Sequence, residues 1–288
     1  MSTVVRPDGT TLAVETLGSD DDPVLLLIAG AGWSRDWWDD ELCDRLVGAG
    51  LRVVRYDHRD TGESTHWPVG APGYTGADLL ADAVAVLDAL GADRAHLVGL
   101  SLGGAIAQEI ALATPQRVAS LTLIATTAVD PRVGALPGVT PELSALFAQE
   151  APEPDRSDPV AAAEALVAGE RPFAGPDAFD EARVRAIARR VVARSRDLAA
   201  SANHFLLAGD RTAGPDDLSA LAGLPVLVVH GAVDPLFPVE HGRALAAMIP
   251  GARLLEIEGM GHQLPPASSW DGVVDAITAQ TRVASTPQ

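Results

Sequence analysis

The chain contains no lysine. All 21 of its basic residues are arginine, set against 39 aspartates and glutamates, for a formal charge of −18. Nucleic acid and anionic membranes both recruit basic surface, so neither is expected as a partner. Cysteine is nearly absent as well. The single Cys43 excludes an internal disulfide and a CxxC redox or zinc site. Its place in a helical pattern after Trp37 and Trp38 marks it as a small buried apolar residue. No apolar run is longer than Val24–Ala29, far short of a bilayer span. The opening MSTVVRPDGTTLAVE has no apolar secretory core. These absences predict a soluble, cytoplasmic protein. The expected partner is a small molecule, and the expected state a monomer or small homo-oligomer.

What is present is apolar residue, 47% of 288 positions, enough for one large α/β domain or a domain with an insertion. TVVRPDGTTLAVET reads as a hairpin turning at Pro7-Asp8-Gly9. Further strand-type runs begin at Val24, Leu51, Ala95, Leu121, Pro225 and Ala252, with amphipathic helical stretches between them. That alternation predicts βαβ units around a mainly parallel sheet flanked by helices. From about Asp130 to Ser219 no strand pattern appears, and helical pieces are predicted at 141–149, 159–168 and 176–203. A structureless loop of that length is improbable, so the interval is read as a helical cap inserted after the sixth main strand. The division is a core at 1–130 and 219–288 with a cap at 131–218. The terminal ASTPQ is read as a frayed tail.

The strongest chemical signal is Gly99-Leu100-Ser101-Leu102-Gly103, between strand AHLV and helix GGAIAQEIALA. G-x-S-x-G alone is a weak motif, but its strand–turn–helix context is what a nucleophile elbow requires. Flanking glycines allow the sharp turn, and the helix N-terminus favours developing negative charge at Ser101. A serine nucleophile needs a base and an orienting acid, expected in the order Ser, Asp or Glu, His. Of the seven histidines, His262 lies in a glycine-rich loop (EGMGHQ) after the last strand, where α/β sheets place ligands. His58, in RYDHRDTGEST, precedes the serine and would reverse that order. Asp234, in HGAVDPLFP one βα unit earlier, is the predicted acid, stiffened by Pro235 and Pro238; Asp130 is the rival. The oxyanion would be held by the backbone N–H of Leu102 and one from the Gly30-Ala31-Gly32 loop, with Ala31 preferred and Gly32 second. That loop is no dinucleotide site, because GAGWSR lacks the third glycine of G-x-G-x-x-G. Gly32 and Trp33 are candidate substrate contacts, and Phe147, Phe173, Phe179 and Phe205 could roof the pocket. No metal or organic cofactor is called for.

Together these residues resemble the α/β-hydrolase superfamily over almost the whole chain. RYDHRDTGEST (55–65), ADAVAVLDALGADRAHLVGLSLGG (81–104) and DPLFPVEHGRALAAMIPGARLLEIEGMGHQLP (234–265) further resemble aclacinomycin-type methylesterases of aromatic polyketide tailoring. That resemblance implies an α/β-hydrolase fold, with Ser101, Asp234 and His262 at the positions of nucleophile, acid and base. It also implies hydrolysis of a methyl ester on a bulky glycosylated tetracycle, after which the freed acid can lose CO₂. The alternatives are a general carboxylesterase, a C–C bond hydrolase with the same triad, a decarboxylase on this scaffold, or a ligand receptor without catalysis.

Overall fold

The computed structural model describes residues 1–149, 155–207 and 216–284. The elements run β1 (Ser2–Val5), β2 (Thr11–Leu17), β3 (Val24–Ile28), α1 (Asp40–Gly48), β4 (Arg52–Tyr56), α2 (Gly76–Ala89), β5 (Ala95–Leu100), α3 (Leu102–Ala113) and β6 (Val118–Ile124). There follow α4 (Pro141–Phe147), α5 (Pro159–Glu170), α6 (Glu181–Arg194), β7 (Val226–Gly231), α7 (Glu240–Met248), β8 (Arg253–Ile257) and α8 (Trp270–Ala284). The eight strands among the described residues form one sheet in the order β1-β2-β4-β3-β5-β6-β7-β8. The first two strands pair antiparallel, and every neighbour from β4 to β8 is parallel.

The apolar run VLLLI shows why the sheet is central. Along β3 successive side chains point to opposite faces. Leu26 and Ile28 enter one core with Val86 of α2, Ile110 of α3 and Leu245 of α7. Leu25 and Leu27 enter the other, with Leu46 of α1 and Val273 and Ile277 of α8. A strand covered on both faces must be apolar at every position, as this one is. The cores also absorb Cys43, which is fully buried and whose thiol burial pushes up to about 12.

The structure adds one element to the sequence reading and divides another. The C-terminal helix α8 was not anticipated: Gly272 and its β-branched residues weaken its intrinsic propensity, and packing supplies the stability instead. It buries Trp270, Val273 and Ile277, and Gln280 Nε2 donates to Thr122 Oγ1 at 2.6 Å. The helix expected over 176–203 is divided. Asp180 caps α6 by accepting from the Arg183 N–H, α6 stops at Ser195 in extended conformation, and a 3-10 segment occupies Ala200–Leu207. Among the described residues between β6 and β7 there is no strand, and the regular elements are helical, joined by loops. Its residues 150–154 and 208–215, and residues 285–288 of the tail read as frayed, lie outside the described residues.

Candidate active site

Ser101 closes the turn between β5 and α3 with φ 52° and ψ −114°, a left-handed conformation that costs a non-glycine residue of order 1–3 kcal/mol. The flanking glycines are there for space. A Cβ on Gly99 would lie 2.1 Å from the Gly103 carbonyl oxygen, and one on Gly103 would lie 2.0 Å from that of Ile28. Strand, turn and helix are thus pressed together too closely for any side chain but hydrogen.

At the ends of the neighbouring strands the other two residues converge on this serine. His262 Nε2 lies 3.0 Å from Ser101 Oγ, and His262 Nδ1 lies 2.9 Å from Asp234 Oδ2. Asp234 is buried, and its Oδ1 accepts from the backbone N–H groups of Leu236 at 2.9 Å and Phe237 at 2.8 Å. Those bonds aim Oδ2 at the imidazole, which places the His262 proton on Nδ1 and leaves Nε2 facing the hydroxyl. The His262 N–H donates to the Phe173 carbonyl at 2.7 Å, so the inserted helices help to set the loop. A Cβ on Gly175 would lie 1.6 Å from the Gly259 carbonyl oxygen, which shows how closely the two segments meet.

The rival residues are occupied elsewhere. Asp130 accepts from Arg132 and from the Leu218 N–H, and caps a 3-10 turn. His96 Nδ1 contacts Ser120 Oγ at 2.8 Å, and His241 bridges Thr127 and the Pro137 carbonyl. His230 Nε2 donates to the Phe237 carbonyl at 2.8 Å, bracing the loop that carries Asp234. His58 is wholly buried and donates Nε2–H to the Ala29 carbonyl at 3.1 Å, beneath the loop that follows β3.

Ser101, Ala31 and Leu102 line one cavity of about 590 Å³. Its walls are mostly apolar: Ile106 and Leu79 from the core, Phe147, Phe173 and Phe205 from the inserted segment, and Phe237. Phe237 was missed at the sequence level. The only signal for it was its position three residues after Asp234, and its ring centre lies 5.3 Å from that of His262. His204 was also passed over, as a residue of the insertion. It accepts the Gly32 N–H on Nδ1 at 2.9 Å and donates Nε2–H to the Arg59 carbonyl at 2.7 Å. This bond occupies the Gly32 amide, the second choice for the oxyanion site, and leaves Ala31 as the candidate. Trp33, expected as a substrate contact, does not line this cavity. It stacks on Trp37 with ring centres 5.0 Å apart and faces a separate cavity, as does Phe179. No group of three or more metal-ligating side chains occurs among the described residues.

Burial holds His58, His96 and His204 near pKa 4, below the ordinary 6.5. Between those values the unfolded chain binds protons that the folded chain refuses. Stability is therefore complete above pH 6.5 and falls on acidification toward pH 4, by up to about 3 kcal/mol for each residue. Glu170 runs the opposite way, its carboxyl raised by burial to about 7, and offsets part of the loss. Calorimetry from pH 7.5 down to 4.5 should show Tm falling steadily below about pH 6.5; a flat profile would contradict neutral burial.

Residues 22–265 match the alpha/beta hydrolase fold family, and the chain belongs to it. More particularly, it is 37% identical to the rhodomycin D methylesterase DnrP of Streptomyces peucetius over 98% of each chain. Among solved structures it resembles a hydrolase from Pseudomonas aeruginosa PA01, with 29% identity, a TM-score of 0.70 and 97% of each chain covered. A meta-cleavage product hydrolase from Pseudomonas fluorescens IP01 shares the fold, with a TM-score of 0.73 at 19% identity over 99% of this chain and 98% of that one. No helix among the described residues is long and apolar enough to cross a membrane.

Proposed function

We propose that the protein is a serine carboxylic-ester hydrolase that removes a methyl ester from a bulky, largely apolar, aromatic polyketide-like substrate. The observation that carries this reading is the Ser101–His262–Asp234 chain opening on an aromatic-rimmed cavity of about 590 Å³. A cavity of that size suits a drug-sized ring system, not merely a short acyl chain. The identity to a rhodomycin D methylesterase supports the same chemistry. The inserted segment 131–218 would act as the cap that shapes this pocket, and 1–130 with 219–288 as the catalytic core.

Ser101 Oγ attacks the ester carbonyl while His262 Nε2 takes its proton, and Asp234 stabilises the imidazolium. The oxyanion receives hydrogen bonds from the amides of Leu102 and Ala31. Leu102 opens α3, so its N–H has no acceptor within the helix. His204 holds the adjacent Gly32 amide and so fixes how the Ala31 peptide is presented. His262 then protonates the departing methoxide, giving methanol and an acyl-serine. Water, deprotonated by His262, hydrolyses that intermediate and frees the acid.

The test is incubation with a panel of aromatic polyketide methyl esters, products read by mass spectrometry, alongside a Ser101→Ala control. Methanol and free acid, absent in the control, are the expected result. Loss of CO₂ with the methyl group would extend the reaction. CO₂ release from a preformed free acid, or turnover of small acyl esters alone, would replace it with a decarboxylase or a general esterase. Failure of a fluorophosphonate to label Ser101 would leave a non-catalytic receptor.

A further inference from the structure

A second cavity, of about 310 Å³, lies where the inserted helices meet the core, and Ser101 and His262 are not among its lining residues. Its aromatic walls are the stacked pair Trp33 and Trp37, with Phe179 and Trp270. The two stacked indoles lie within 19° of parallel and form a flat, electron-rich face. Into this cavity projects Glu170, the last residue of α5. Among the described residues its hydrogen-bond partner is a neutral one, Trp33 Nε1 at 3.0 Å from Oε1, and no arginine pairs with it. Burial raises its carboxyl to about 7, as expected for an acid lacking a counter-ion.

The other charged groups on this cavity are Asp39, Asp177, Asp180 and Arg183. Arg183 is already committed, to Asp39 at 2.8 Å and Glu41 at 3.0 Å. Its guanidinium also lies 4.7 Å from the centre of the Trp270 ring, so these walls already hold one cation against an indole. An acid without a cation, in a cavity lined by indole rings, is complementary to a positively charged nitrogen bearing carbon substituents, which can interact with both.

We propose that this cavity is a second ligand site that takes an organic ammonium group, held against Trp33 and Trp37 with Glu170 as its counter-ion. The site is separate from the ester chemistry and depends on no step of it. Choline and its neutral carbon isostere, 3,3-dimethylbutan-1-ol, serve as probes, titrated against the full-length protein by calorimetry and tryptophan fluorescence. Choline should bind saturably and quench fluorescence, and the isostere should bind at least about tenfold more weakly. Glu170→Gln keeps an acceptor for Trp33 Nε1 and should weaken choline by about tenfold or more. Trp37→Leu, which leaves the Glu170–Trp33 bond in place, should weaken it as well. Ser101→Ala should bind choline like the parent chain, which separates this site from the catalytic reading. Absence of saturable choline binding, equal binding of the isostere, or undiminished binding by folded Glu170→Gln would each overturn the proposal.

Discussion

Replacing His262 with alanine is expected to lower kcat/KM on a methyl ester by about 10,000-fold or more while leaving the protein folded. Among the described residues, the imidazole is the group that bonds both Ser101 Oγ and the Asp234 carboxylate. Without it the hydroxyl keeps its proton, and the leaving alkoxide has no acid. Its removal should cost little stability, because the loop around it is fixed through the backbone, by the His262 N–H to Phe173 and the Val233 N–H to Met260. Asp234→Asn should cost a comparable factor, since an amide can present its N–H to Nδ1 and so favour the wrong tautomer. His58→Ala is the informative contrast. His58 loses a bond to the Ala29 carbonyl and leaves a cavity, so the unfolding midpoint should drop while the refolded enzyme still turns over. Turnover lost in folded His58→Ala, or retained in His262→Ala, would reassign the base.

Much of this was legible in the sequence because the signals were local. A serine between two glycines, at the join of an apolar strand and a helix, carries its own geometry in the chain order. Strand ends are where α/β sheets gather ligands, so Asp234 and His262 could be placed without knowing a single distance. What stayed hidden depended on contacts across the chain. The His204 bond to Gly32 spans 172 positions, and nothing in SANHFLLAG announces it. Trp33 follows the Gly30-Ala31-Gly32 loop, which suggests the pocket, yet it stacks on Trp37 and lines the separate cavity instead. Phe179 was grouped with the other cap phenylalanines on composition alone, and the fold seats it under Arg171, with the guanidinium 4.5 Å from its ring centre. Helix α8 escaped notice because its stability comes from the sheet it covers, not from its own residues.

The largest loss of stability is expected from Asp57→Ala, in the segment that most resembles an active site. RYDHRDTGEST supplies none of the three residues that meet at Ser101. Asp57, fully buried, instead receives five hydrogen bonds. They come from the Arg35 N–H and Nη1, the Glu63 N–H, and Nη1 and Nη2 of Arg194. Arg35 belongs to the turn beyond the loop that follows β3 and Arg194 to the last turn of α6, so one carboxylate joins the sheet, that loop and the inserted helices. Gly62 is required beside it, because at φ 53° a Cβ there would lie 2.3 Å from Asp57 Cγ. Its carbonyl accepts the Arg196 N–H at 3.0 Å, a second tie to the cap. Asp57→Ala would leave the Arg35 guanidinium, whose side chain is 3% exposed, with Glu63 at 3.3 Å and Glu15 at 3.9 Å as its remaining ion-pair partners. Arg194 would keep Asp36 and Glu63. Removing one partner of a buried ion pair typically costs about 3–5 kcal/mol, because the other charge stays buried. Chemical denaturation should show that loss, and proteolysis should cut the inserted helices first, since α6 loses one of the ties that hold it to the sheet. Asp57→Asn, which keeps the shape and can still accept on one oxygen, should lose less than alanine and retain turnover. A loss below about 1 kcal/mol for Asp57→Ala would mean that the cap docks without this network.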